Sequence, residues 1–180
     1  GVQTCALPIS DDYKTPRYGI HGNPTNWALE EAVAKLEGGH NAVAVCSGLA
    51  AIVAAICAFV KAGDHVLVAD SVYGPTRNFC NKRLASYGVT TEYYDPLIGA
   101  GIKNLIKSNT KAIYCEAPGS LSFEMQDIPA IAREAHARDI PVLADTTWGT
   151  PYFFKSFEHG VDVSIHAATK YIVGHSDVMM

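Results

Sequence analysis

The sequence predicts an α/β domain, a mostly parallel sheet with helices on both faces. Three observations carry this. Strand-like and helix-like segments alternate along the whole chain. The polar and reactive residues cluster just after the strand-like runs, as in parallel sheets whose ligands bind beyond the carboxyl ends of the strands. Finally, 180 residues at 48% hydrophobic and 18% charged are enough for a sizeable core. No repeat, low-complexity tract or long linker divides the chain.

In order, Thr25 is the expected N-cap of a helix with Leu29, Ala32, Val33 and Leu36 on one face, stopped by Gly38 and Gly39. Ala42 to Cys46 reads as a short strand, and Gly48 to Ala62 as an apolar helix ended by Gly63. His65 to Ala69 is a strand leading to a loop with Tyr73, Gly74 and Pro75. A helix from Thr76 to Tyr87 and a strand from Thr90 to Tyr94 follow. Helix Gly101 to Lys107, strand Lys111 to Cys115, helix Ile128 to Arg138 and strand Pro141 to Asp145 continue the pattern. Val161 to Ile165 is the last strand. Residues 1–9 have no periodicity linking them to the rest and resemble a translated sequencing adapter, so they are set aside as non-native. The expected organisation is an arm and first helix over residues 10–40, then a ligand-binding domain over 41–180 that is cut short at its C-terminal end.

Composition excludes several function classes. A net charge of −4 without basic runs argues against nucleic acid, whose phosphates call for clustered Lys and Arg. The longest apolar stretch, Leu49 to Val60, is about a dozen residues, and a membrane-spanning helix needs about 20. Five cysteines without C-x-x-C spacing read as free core thiols in a reducing, cytoplasmic compartment. Seven dispersed histidines form no metal-ligand pattern.

The chemistry lies at strand ends. Lys170, next to the hydroxyl of Thr169, follows the last strand, and Asp145 ends the one before it. A lysine amine and an acid at neighbouring strand ends are what pyridoxal phosphate requires: a Schiff base on one side, a partner for the pyridinium nitrogen on the other. Asp145 could equally cap a loop or helix. Ser47, Gly48 and Leu49 join a strand to a helix, so free amides and the positive helix end face one point, as a phosphate site needs. A tight turn would also call for Gly48. Tyr73 could stack on a flat ring or pack under its loop. The absence of G-x-G-x-x-G disfavours a dinucleotide.

The segments Y-G-I-H-G-N-P-T, L-E-G-G, S-G-L-A-A, G-D-H-V-L, Y-G-P-T, D-P-L-I-G-A, E-A-P-G-S, A-D-T-T-W and A-A-T-K-Y-I-V-G-H-S-D occur in this order from Tyr18 onward. With them the chain resembles the N-terminal half of the Cys/Met-metabolism pyridoxal phosphate enzymes, a fold type I large domain, and among these the carbon–sulfur β-lyases. The resemblance implies that Lys170 forms the Schiff base, Asp145 meets the pyridinium and Tyr73 stacks on the ring. It implies that Gly48, Leu49 and Thr169 hold the phosphate, with Tyr18 reaching that of a neighbouring subunit in a homotetramer with shared active sites. Two positions depart from the family pattern. Ile20 replaces a phosphate-binding arginine, with His21 beside it, and Ala167 replaces a serine three residues before the lysine. The implied reaction is β-elimination of cystathionine to homocysteine, pyruvate and ammonia in methionine biosynthesis, with Lys170 as base, its amine made less basic by burial. The alternatives are a γ-acting synthase or lyase of the same family, or an inert fragment; the 180-residue piece itself is expected to be inactive.

Overall fold

A computed structural model describes residue 19 and residues 22–180. The expectations for residues 1–9, Tyr18, Ile20 and His21 lie outside the described residues.

Five strands form one sheet: β1 (His65–Ala69), β2 (Thr90–Tyr94), β3 (Thr110–Glu116), β4 (Val142–Asp145) and β5 (Val163–Ile165). Their order is β2-β1-β3-β4-β5 and every pairing is parallel. The predicted class therefore holds, with strand bounds within two residues of those expected. The central strands are buried on both faces, which is why β1 and β3 are apolar at successive positions. Leu67, Ile113, Val142 and Ala144 face α4 (Ile128–His136), where Ile128, Ile131 and Ala135 complete one core. Val66, Val68, Tyr114 and Leu143 face the opposite way, onto Ile52 and Ile56 of α2 (Gly48–Cys57) and Cys80 and Leu84.

Helix starts follow local chemistry. Helix α1 (Pro24–Glu37) begins one residue before the expected cap, because Asn23 accepts from the amides of Thr25 and Asn26 while Pro24 takes the first turn. Its buried stripe is also rotated from the expected one. Trp27, Ala34 and Glu37 are buried, whereas Ala32 and Leu36 are exposed. A carboxylate inside and a leucine outside is the reverse of simple amphipathicity, and the partner of Glu37 explains it below. Helix α2 is capped by Ser47, whose Oγ accepts from the Ala50 amide, and ends at Cys57, short of Gly63. The helix expected from Thr76 begins at Gly74 as α3 (Gly74–Asn78) and continues as a π turn over Phe79–Leu84. The expected helix Gly101 to Lys107 is a 3₁₀ segment, Gly99–Asn104. A short helix, α5 (Thr150–Phe153), follows β4.

One expected strand is missing. Ala42 to Cys46 pairs with no other strand among the described residues. A strand needs a partner edge, and here Ala44 gives its amide to the Glu30 side chain instead. Between this segment and the free side of β5 lies a cavity of about 400 Å³, lined by Val33, Glu37, Val45, Ala51, Val163 and Ile165. Not all cysteines are core thiols either: Cys80 and Cys115 are buried, Cys46 and Cys57 exposed. Among the described residues no helix is long and apolar enough to cross a membrane, and no His/Cys/Asp/Glu group is arranged to hold a metal ion.

Candidate active site

Strand order reverses around β1, which has β2 on one side and β3 on the other, so a crevice opens beyond the carboxyl ends of β1 and β3. Tyr73, four residues past β1, spans it: its amide donates to Glu116 Oε2 at 2.9 Å, and Glu116 is the last residue of β3. Glu116 and Asp145 are paired in register, so two buried carboxylates end adjacent strands. Burial pushes the Glu116 carboxyl up to about 7, with Asp145 adding to the rise against the Tyr73 amide and Ser120. Burial also lifts the Asp145 carboxyl above its ordinary range, opposed by hydrogen bonds from Thr147 and the charge of His166. Asp145 Oδ1 accepts from the Thr147 amide at 2.9 Å. Among the described residues Asp145 has no ion-pair partner.

The next strand end brings the lysine. Asp145 pairs in register with Ile165, the last residue of β5, and Lys170 lies five residues on, in a turn closed by its amide to the Ala167 carbonyl. Thr147 Oγ1 accepts from the Ala167 amide at 2.8 Å, joining the loop after β4 to the loop that carries Lys170. The start of α2 packs against the same loop, since a Cβ on Gly48 would fall 2.6 Å from Ala167 Cβ. Glycine is therefore required at this approach, beyond any turn. The Gly48 and Leu49 amides precede the capped Ala50 amide and have no intrahelical acceptor, so they face outward at the positive helix end.

Most of the predicted site residues thus converge: Gly48, Leu49, Tyr73, Asp145, Thr169 and Lys170 all lie at one edge of the sheet. Two of them depart from expectation. Lys170 is exposed rather than buried. The Thr169 hydroxyl donates to the Met180 carbonyl at 3.0 Å and accepts from its amide at 2.7 Å, an exchange a phosphate would have to replace. Sequence reasoning assigned no role to Glu116, Thr147 or His166. The glutamate was visible as a polar residue ending a strand, but only the sheet order sets it against Tyr73. Trp148 and Tyr171, each one residue from the site, meet edge-on at 5.8 Å, and Phe123 meets Trp148 at 5.9 Å. All three rings are exposed.

A helix start without side-chain bulk, a buried carboxylate lacking a cationic partner, an aromatic side chain and an accessible amine fit pyridoxal phosphate, with its phosphate, basic ring nitrogen, flat face and aldehyde. Fold and site define the cofactor domain of a fold type I pyridoxal phosphate enzyme. The chain belongs to the Cys/Met metabolism PLP-dependent enzymes, whose family model matches residues 4–180. It is similar to the cystathionine beta-lyase MetC of Escherichia coli, 44% identical over 165 residues that make up 91% of this chain and 42% of the relative. An L-alanine/L-glutamate racemase of Wolbachia pipientis is 41% identical over 172 residues, 96% of this chain and 41% of that protein. The crystal structure of metB from Corynebacterium glutamicum superposes with a TM-score of 0.89 at 34% identity, covering 92% of this chain and 43% of that one. The chain therefore spans about two-fifths of the length of the proteins it matches.

Proposed function

We propose that this chain is the cofactor-binding part of a carbon–sulfur lyase that eliminates homocysteine from cystathionine and leaves pyruvate and ammonia. The observation that carries this reading is the convergence of Lys170, Asp145 and the α2 start at one sheet edge, in a family whose E. coli relative is a cystathionine beta-lyase. Pyridoxal phosphate, when bound, supplies an electron-poor ring that stabilises negative charge on the substrate's α-carbon. Lys170 Nζ would hold the cofactor through its aldehyde and would take the proton from the substrate's α-carbon. Asp145 keeps the ring nitrogen protonated through its charge. The Gly48 and Leu49 amides and the Thr169 hydroxyl bind the phosphate, and Tyr73 stacks on the ring. Tyr18 reaches a neighbouring subunit's phosphate in a cytoplasmic homotetramer.

The test is product analysis with the full-length protein and cystathionine. Pyruvate is expected; 2-oxobutanoate instead points to a γ-lyase, and neither product overturns the lyase reading. Substitution Lys170→Ala is expected to abolish both turnover and the visible absorbance of the lysine-bound cofactor. A second reading rests on the racemase relative, which matches 96% of this chain. The same lysine could return a proton to the α-carbon rather than expel a thiol. Interconversion of D- and L-alanine without pyruvate from cystathionine would favour it.

A further inference from the structure

Outside the groups assigned above, the most densely connected polar cluster of the described residues lies behind the lysine loop. Glu37 ends α1 and is only 4% exposed. Its Oε1 meets His166 Nε2 and accepts from Ser164 Oγ at 2.7 Å. Ser164 Oγ is also 3.1 Å from His166 Nε2 and 3.2 Å from Ser156 Oγ. Thr146 Oγ1 reaches Ser156 at 3.2 Å and both Ser164 and His166 at 3.5 Å. The cluster therefore ties the C-terminus of α1 to the residues that immediately follow β4 and β5.

A buried carboxylate at a helix C-terminus is doubly unfavourable, losing hydration and facing the negative end of the helix dipole. Burial works to raise the Glu37 carboxyl, but hydrogen bonds from His166 and Ser164 and the charges of His166 and Lys155 outweigh it and hold the group below its ordinary value. The Lys155 ammonium bonds the adjacent Leu36 carbonyl. This requirement explains why α1 buries Glu37 rather than Leu36. His166 in turn begins the loop that delivers Lys170.

We propose that His166, anchored on Glu37, is a positioning residue of the cofactor site: it fixes the start of the Lys170 loop. The inference rests on the cofactor reading of Lys170 and Asp145 and extends it to a pair that touches neither. The charged and titratable groups around the pair are Glu37 of α1, Lys155 before the 3₁₀ turn Ser156–His159, and Asp145 of β4, whose charge in turn acts on Glu116 and Tyr114 of β3.

The experiment compares full-length wild type with His166→Gln, Glu37→Gln and the double variant, measuring pyridoxal phosphate affinity across pH together with thermal stability without cofactor. His166→Gln keeps a hydrogen-bonding side chain and replaces the imidazole that meets the Glu37 carboxylate. Affinity is expected to fall about tenfold. Glu37→Gln is expected to act in the same direction, and the double variant to be little worse than either single one. Lower thermal stability with unchanged affinity at every pH would make the cluster a packing feature only and overturn the proposal. Additive losses in the double variant would break the link between the two residues. A wild-type protein that takes up no pyridoxal phosphate overturns this inference and the cofactor reading together, so the two failures are separable.

Discussion

Glu116 joins two parts of the site that are 43 residues apart, since its carboxylate holds the amide of Tyr73. Its carboxyl rises from 4.5 to about 7 because the end of β3 is buried. A carboxyl whose folded pKa lies above its unfolded one binds more protons when folded. Its contribution therefore falls as pH rises from about 4.5 and reaches its full penalty above about 7, up to about 3 kcal/mol. Glu116→Gln keeps an oxygen for Tyr73 and removes the ionisation. Urea unfolding of the cofactor-free full-length protein is expected to show a flatter pH dependence across this window in the variant, and greater stability at neutral pH. An unchanged slope would assign the pH dependence to other groups.

At the scale of elements, the site depends on how the start of α2 meets the loop after β5. Gly48→Ala brings a methyl within 2.6 Å of Ala167 Cβ and 3.1 Å of its Cα, so the helix start or the lysine loop must shift. Overpacking of this kind costs about 1–3 kcal/mol, and pyridoxal phosphate affinity is expected to fall at least about tenfold. Cofactor titration of the full-length variant checks this. Helix α4 provides the contrast. Asp127, itself exposed, caps it through the Ala130 amide at 3.0 Å, and the helix buries Ile128, Ile131 and Ala135 in the core. Asp127→Ala is expected to cost about 1 kcal/mol in unfolding experiments and leave cofactor affinity unchanged. Apolar runs and turn residues revealed α2, α4 and all five strands, and in β1, β3, β4 and α4 the apolar positions are largely the buried ones. They failed for Ala42 to Cys46 because pairing depends on a neighbouring edge, which composition does not encode. They failed for the face of α1 because the buried residue there is an acid, and its partner lies 129 residues away.

For the molecule as a whole, the carboxyl edge of the sheet carries chemistry and exposed rings together. Phe123, Trp148 and Tyr171, the residue after Lys170, form an exposed run of ring contacts, and Tyr152 and Phe153 are exposed as well, in a chain that spans 42% of its E. coli relative. The 180-residue chain alone is accordingly expected to produce no pyruvate from cystathionine, while the full-length protein does. Side-by-side assays at equal cofactor loading test this, and equal rates would show that the described edge is sufficient.

The sequence by itself determined the α/β class, the parallel strands and the family, and it singled out the lysine, aspartate and glycine of the candidate site. These are local signals: apolar runs, turn residues and short motifs, each contained within a few residues. Tertiary structure alone decided that Glu116 holds Tyr73, that Thr147 ties the two loops together, that Glu37 is buried against His166 and that Lys170 stands open. Each of these is a contact or an exposure set by strand order and helix packing, and hydrogen bonding, desolvation and charge act through distance in space rather than along the chain.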